Sequence, residues 1–198
     1  QRVDWDRYPG SGGGNAAIRN TVISTYRCAS DPGIRPSNSF APTNYVACIG
    51  WDEQPNATNA MFAINSRTRF ADITDGSSNT MAAAESLVGM PFVKRFGSDS
   101  GGYAQCKVGT APTITSNVGN EGRGYSWLFG MRNQAWTFST MLGPNDKATK
   151  RQECELWTST GVFAARSQHT GGVHALFGDG RVRMINESIN MGIWRGLG

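Results

Sequence analysis

The most regular hydrophobic pattern of the chain lies near its carboxyl end. Over 173–177, apolar residues recur at a period of two, which predicts a strand with one apolar face. Asp179-Gly180 follows as a candidate two-residue turn, so we expect an antiparallel hairpin. In that register the facing pairs are Phe177 with Val182 and Ala175 with Met184. A short helix over about 187–197, with apolar residues at helical spacing, is expected to pack on the hairpin.

Weaker patterns predict further elements upstream. Asn15 follows a run of glycines and is a candidate cap for a short helix, while 44–50 is typical of a strand. The glycine run has no preceding apolar strand and no Gly-Lys-Ser/Thr ending, which argues against a phosphate-binding loop. Asp75-Gly76 is a strong turn pair between two apolar runs, the second of which covers 81–88.

The composition favours strands joined by many turns over long charged helices. Hydrophobic residues make up 38% and charged residues 17% of the 198 positions, and glycine occupies 25 of them. Glycine supplies the positive φ angles that tight turns require. We therefore predict one α+β domain over 1–198, rich in antiparallel sheet, with a loop-rich excursion at about 97–124.

The charge pattern argues against nucleic acid as a partner. The formal net charge is +4, from 19 Lys and Arg against 15 Asp and Glu, and no run of five or more like charges occurs. A small positive charge spread in this way is typical of a solvated surface. Weak attraction to anionic cell-wall polymers is the alternative. No stretch approaches the ~20 apolar residues that span a bilayer, so we expect membrane contact only through a segment outside this sequence.

The four cysteines favour disulfides over a zinc ribbon, since no C-x-x-C pair occurs. In an exported protein an even set of cysteines predicts two bridges. We favour Cys28–Cys48 and Cys106–Cys154 among the three possible pairings, because each would close a local excursion of the chain. A bridge of this kind would contribute about 3–4 kcal/mol in the chain-entropy picture. Four buried free thiols are the alternative.

Two groups of side chains are candidate ligand sites. The oxygen atoms of Asp72, Asp75 and Asn79 could bind calcium, although their spacing is not that of an EF-hand loop and turn chemistry also explains them. Trp127 and Trp136 lie in an aromatic-rich stretch and could stack on sugars or on a partner, whereas burial in the core is the alternative. Apart from this calcium ion, no cofactor is expected.

The segment 166–184 carries the strongest signature. Its sequence RSQHTGGVHALFGDGRVRM resembles R-S-x-H-x-G-G-V-x-x-L-F-x-D-G-S-V-R-F, the carboxyl-terminal pattern of prepilin-like proteins with an H-x9-D-G motif, a family expanded in planctomycete bacteria. His169 and Asp179 match the motif histidine and aspartate. CASDP at 28–32 resembles the family's C-P-S-D-P, and ITDGSSNT at 73–80 resembles its I-T-D-G-T-S-N-T.

The resemblance implies a pilin- or pseudopilin-like fold and export to the cell surface through a type II secretion or type IV pilus-like system. Family members carry an apolar amino-terminal helix of about 20 residues, a bilayer-spanning length, and this helix is absent from the sequence, which begins with Gln1. The family brings no established catalytic chemistry, and its older label, solute-binding, names no ligand. We therefore expect an extracellular structural subunit of a homo-oligomer or filament, with a secreted glycan- or polymer-binding module as the alternative, and not an enzyme.

The signature residues are expected to have structural roles. The set comprises His169, Gly171, Gly172, Asp179 and Gly180. We expect the His169 ring to bond to the Asp179 turn or to a nearby carbonyl. A metal site at His169 would need carboxylate help, because His174 is the only other histidine. A hydrolase built on Ser167, His169 and Asp179 would lack the nucleophile elbow around its serine.

Overall fold

The structure of the chain, a computed structural model, describes residues 3–4, 6, 15–33, 39–51, 60–63, 65–90, 93–95, 122–128, 136–146, 153–156 and 161–198. For 93–95 and 154–156 it describes the backbone alone. Most of the excursion predicted over 97–124 lies outside these ranges, so the single domain over 1–198 stays a prediction.

Short strands and very short helices make up the described elements. The strands are β1 Tyr45–Cys48, β2 Met81–Glu85, β3 Val93–Arg95, β4 Thr137–Phe138, β5 Cys154–Leu156, β6 Gly161–Val162, β7 Gly172–Phe177 and β8 Val182–Asn186. The helices are α1 Ala16–Arg19 and α2 Met191–Gly196, with 3₁₀ turns at Ser24–Tyr26 and Phe70–Asp72. None of the helices in the described ranges is long and apolar enough to cross a bilayer.

Two mixed sheets organise the strands. The main sheet has the order β4-β1-β2-β7-β8, in which β1 and β4 are parallel and the other neighbours are antiparallel. The smaller sheet has the order β3-β5-β6, with β3 parallel to β5 and β5 antiparallel to β6. A mixed sheet with a few short helices confirms the predicted α+β class.

The main core lies between one face of the five-stranded sheet and α2. Alternate residues of β7 are buried in it, as the period-two pattern predicted. Trp194 of α2 is fully buried, stacks on Phe138 with ring centroids 6.2 Å apart, and donates its indole N–H to the Leu142 carbonyl at 2.7 Å. The Asn190 side chain caps α2 by accepting the N–H groups of Gly192 and Ile193.

The carboxyl-terminal hairpin is confirmed, but its loop is one residue longer than predicted. Gly178-Asp179-Gly180 forms a three-residue loop, closed by a hydrogen bond from the Gly180 N–H to the Phe177 carbonyl at 3.0 Å. The Phe177 N–H donates to the Arg181 carbonyl at 2.9 Å. Gly180 has φ +83°, the left-handed conformation that such a loop requires at its last position.

The longer loop makes the predicted register wrong by one residue. The observed pairs are Val173 with Ile185, His174 with Met184, Ala175 with Arg183, and Leu176 with Val182. Because a shift of one residue moves every side chain to the other face, Val182 and Met184 point away from the core. Ile185 is buried on the core side, and the Arg183 guanidinium lies over the Phe177 ring at 4.6 Å.

The upstream predictions had mixed outcomes. The strand predicted over 44–50 is β1, and the short helix predicted after Asn15 is α1. The Asn15 side chain does not cap α1; it exchanges hydrogen bonds with the backbone of Asp4. The apolar run before Asp75-Gly76 forms the 3₁₀ turn Phe70–Asp72, and the run after this pair contains β2.

Candidate functional site

The face of the main sheet opposite the core carries a groove of about 600 Å³. Strands β1, β2 and β7 form its floor, and the loop at 27–30 forms one side. The side chains that line it include Tyr45, Glu85, His169, His174, Leu176 and Val182. The groove therefore gathers both histidines of the chain beside a carboxylate.

Cys28 lies at the groove because two buried polar side chains hold the loop 28–33 against the sheet. Asn44 accepts the Cys28 N–H at 3.0 Å, and its amide group donates to the Asp31 carboxylate. Asp31 in turn accepts the Val88 N–H at 2.8 Å. These bonds satisfy buried polar groups that would otherwise be costly, and they fix the position of the Cys28 backbone.

Glu85 ends β2 and directs its carboxylate into the groove, where the side chain is only 5% exposed. One oxygen, Oε1, lies 3.1 Å from His169 Nε2 and 3.8 Å from Cys28 Sγ. The other, Oε2, accepts the backbone N–H of His174 at 2.8 Å and lies 3.3 Å from His174 Nδ1. A carboxylate so far from water needs partners of this kind.

His169 reaches the groove from the loop between β6 and β7. The backbone N–H of His169 donates to Ser167 Oγ at 3.2 Å, and the backbone N–H of Ser167 donates to Asn145 Oδ1 at 2.8 Å. Its Nε2 is 3.7 Å from Cys28 Sγ, and its ring packs edge-to-face on His174 with centroids 4.7 Å apart. Cys28, Glu85 and His169 thus form the one group of metal-ligating side chains found in the described ranges.

Tyr45 lines the groove floor beside Glu85. Partial burial raises the pKa of the Tyr45 hydroxyl, and the nearby Cys28 and Glu85 raise it further by opposing a negative charge there. Tyr45 therefore keeps its proton to a higher pH than a free tyrosine does.

The predicted Cys28–Cys48 disulfide is wrong, because both cysteines are free. Cys28 faces the groove, whereas Cys48 is fully buried in the core on the opposite face of the main sheet. Burial raises the pKa of the Cys48 thiol to about 12. Cys106 and the side chain of Cys154 lie outside the described part of the chain, so their pairing stays a prediction.

The calcium candidates take part in local turns. The Asp72 carboxylate is exposed and lies 3.0 Å from the Arg69 guanidinium, which lowers its pKa. The Asn79 amide donates to the Asp75 carbonyl at 3.2 Å. Calcium binding by these residues stays a prediction. The contacts that they make join residues three or four positions apart, as in ordinary turns.

The two candidate tryptophans differ in their surroundings. Trp127 is half-buried, donates its indole N–H to the Thr21 carbonyl at 2.9 Å and packs against Tyr26. Trp136 is 36% exposed and directly precedes β4. Trp136 is therefore the more exposed of the two and the better placed for stacking.

Comparison with known proteins identifies the family. The family model described as "Protein of unknown function (DUF1559)" matches residues 3–192, nearly the whole chain. The chain belongs to the DUF1559 family. No curated protein and no solved structure matches it.

The signature residues of this DUF1559 chain build the hairpin, but His169 does not act as predicted. Its ring faces Glu85 rather than the Asp179 turn, which lies at the far end of β7. Asp179 Oδ1 accepts the N–H of Arg181 at 3.0 Å. Gly171 has φ +89°, and Gly172 lies so close to Ile185 that a Cβ atom would overlap its carbonyl oxygen.

The three signature segments of the DUF1559 chain meet in space. The first, 28–32, contacts the third through Cys28 and His169. The second, 73–80, contacts the hairpin loop, since the Gly178 N–H donates to the Thr80 carbonyl at 2.9 Å and the Asp179 N–H to the Ser77 carbonyl at 3.1 Å. The segments are therefore parts of one structural unit.

Sequence reasoning missed Cys28 and Glu85 as site residues of the DUF1559 chain. Glu85 had one usable signal: it is a single carboxylate at the end of the apolar run MAAAE. An acid in such a run ends up buried and needs a partner. Cys28 was assigned to a disulfide, and its distance of 141 positions from His169 hid their contact.

Proposed function

We propose that this DUF1559 domain is a structural subunit of a pilus-like or pseudopilin-like assembly outside the cell, and that it is not an enzyme. The observation that carries the proposal is the hairpin β7–β8. Four of the signature residues, Gly171, Gly172, Asp179 and Gly180, shape the hairpin backbone. The outer face of the hairpin presents apolar side chains to solvent.

The outer face of the hairpin is suited to contact another subunit. Leu176, Val182 and Met184 share this face, and Val182 is 63% exposed. Grouped apolar side chains on a surface are typical of interaction sites. Within the described ranges β8 is also the edge of the main sheet, so its outer backbone groups can pair with a further strand. A second copy of the chain would cover both features.

Electron microscopy of native material from the producing cells tests the proposal. We expect regular filaments or arrays, and we expect Val182→Glu to abolish them by placing a charge in the apolar contact. Ile193→Glu is the matched control, because Ile193 is equally exposed, at 61%, but lies on α2. Isolated monomers from the unmodified protein would contradict the proposal, as would filaments that are unaffected by Val182→Glu.

Trp136 supports a second candidate, a secreted module that binds glycans or other polymers of the cell surface. Its exposed ring could stack on a sugar. Glycan-array binding should be lost in Trp136→Ala and retained in Val22→Ala, which removes an exposed apolar side chain elsewhere. Retention of binding by Trp136→Ala would exclude this site.

A further inference from the structure

Three side chains from distant parts of the sequence converge on one point beside the groove. Cys28 comes from the first signature segment, Glu85 from the end of β2 and His169 from the loop before β7. We propose that these three residues bind a divalent transition-metal ion, with zinc as the metal that best fits a sulfur, nitrogen and carboxylate donor set.

The distances between the donor atoms match those of a zinc site. Bonds of ~2.3 Å to sulfur and ~2.0–2.1 Å to nitrogen and oxygen at tetrahedral angles place sulfur ~3.5 Å from the other two donors, and nitrogen ~3.3 Å from oxygen. The sulfur of Cys28 lies 3.7 Å from His169 Nε2 and 3.8 Å from Glu85 Oε1, and the last two atoms are 3.1 Å apart. Each value differs from the ideal by at most about 0.3 Å, so small rotations suffice.

The same geometry argues against a cysteine–histidine–carboxylate triad. In such a triad the histidine contacts the nucleophile through one ring nitrogen and the carboxylate through the other. Here Cys28 Sγ and Glu85 Oε1 both approach Nε2 of His169. A single ring nitrogen cannot bond to the carboxylate and accept the thiol proton at the same time. Three donors aimed at a common point are instead the arrangement of metal ligands.

The surroundings hold the donors in place. The Asp31–Asn44 pair fixes the backbone of Cys28, and the Ser167 hydroxyl accepts the backbone N–H of His169. His174 donates its backbone N–H to the Glu85 oxygen that does not face the other donors. Such outer contacts orient carboxylate ligands and tune their affinity for the metal. The three donors leave a fourth tetrahedral position, which water can fill from the adjoining groove.

Cobalt substitution tests the site with a signal that reports sulfur coordination. Titration of the unmodified chain with Co²⁺ should produce thiolate-to-cobalt charge-transfer absorption and intense visible bands of tetrahedral cobalt, and Zn²⁺ should displace both. Cys28→Ser should abolish the charge-transfer band. Cys48→Ala is the matched control, because its thiol lies in the core on the other face of the sheet, and this variant should keep the band.

Two further measurements keep the proposal testable if Cys28→Ser fails to fold. His174→Gln leaves the three ligands intact but removes the imidazole ring, whose Nδ1 lies 3.3 Å from Glu85 Oε2. Loss of this outer contact should weaken Zn²⁺ binding by about 10–100-fold. In the unmodified chain, Zn²⁺ should protect Cys28 from alkylation, as peptide mass spectrometry can show. The proposal is overturned if the unmodified chain gives no thiolate band, if Cys28→Ser retains it, or if Zn²⁺ leaves the alkylation of Cys28 unchanged.

Discussion

Gly172→Ala should destabilise the protein strongly, because no space exists for a methyl group between β7 and β8. A Cβ atom at Gly172 would overlap the Ile185 carbonyl oxygen and lie 2.8 Å from its carbon and 3.0 Å from Asn186 Cα. Comfortable contacts between such atoms are about 3.5–4.0 Å. Since paired strands are only ~4.8 Å apart, β8 would have to move away by about 1 Å and give up hydrogen bonds to β7.

The expected magnitude combines two costs. Overpacking costs about 1–3 kcal/mol, and each lost hydrogen bond about 1 kcal/mol. A total of about 3 kcal/mol corresponds to a fall in Tm of about 6–12 °C for a domain of this size. Differential scanning calorimetry of the two proteins under the same conditions measures this shift directly.

The neighbouring Gly171→Ala is the internal control. Gly171 has φ +89°, but no atom lies within 4 Å of the place that a Cβ would take, so an alanine there meets backbone strain alone. That strain costs about 1–2 kcal/mol, less than the clash at Gly172. A Tm for Gly172→Ala equal to that of the unmodified protein, or above that of Gly171→Ala, would refute the close packing of β7 on β8.

Two buried groups lead to further predictions. Glu153→Gln should lower the free energy of unfolding by about 3–5 kcal/mol in urea titrations, because it leaves the buried guanidinium of Arg123 and the nearby Arg166 without their carboxylate. Burial already lowers the pKa of Arg123 to about 10, and a loss below about 1 kcal/mol would contradict a strong pair. In mildly alkaline, zinc-free buffer, iodoacetamide should label Cys28 and spare Cys48, whose pKa burial raises to about 12. Equal labelling of both thiols in the folded protein would show that Cys48 is not enclosed.

The local parts of the fold were predictable because their signals are local. Alternation over 173–177 and the pair Asp179-Gly180 identified the hairpin and its turn. The register failed because Gly178 joins the loop, and Gly178 does so through its hydrogen bond to Thr80, a contact made with another segment of the chain. The local sequence pattern identifies the turn residues. It does not reveal which distant segment bonds to the turn and thereby sets the length of the loop.

The candidate site was largely hidden from the sequence for the same reason. Its three donors stand in separate segments, and only pairing of β2 with β7 brings Glu85 under the histidines. The disulfide prediction failed on topology: β1 carries Cys48 into the core, while the loop 28–33 lies against the opposite face of the sheet. The number and spacing of cysteines do not show on which face of a sheet each side chain lies.

The position of β7 between β2 and β8 has a consequence for how the chain is made. Glu85 and His174, which bond across β2 and β7, are 89 positions apart, and Trp194 closes the core from further along still. Contacts so distant in sequence form slowly. A ribosome must therefore synthesise the chain past Trp194 before the core can close. Until then β2 exposes an open edge and an apolar face, and the nascent chain is prone to aggregation and depends on chaperones.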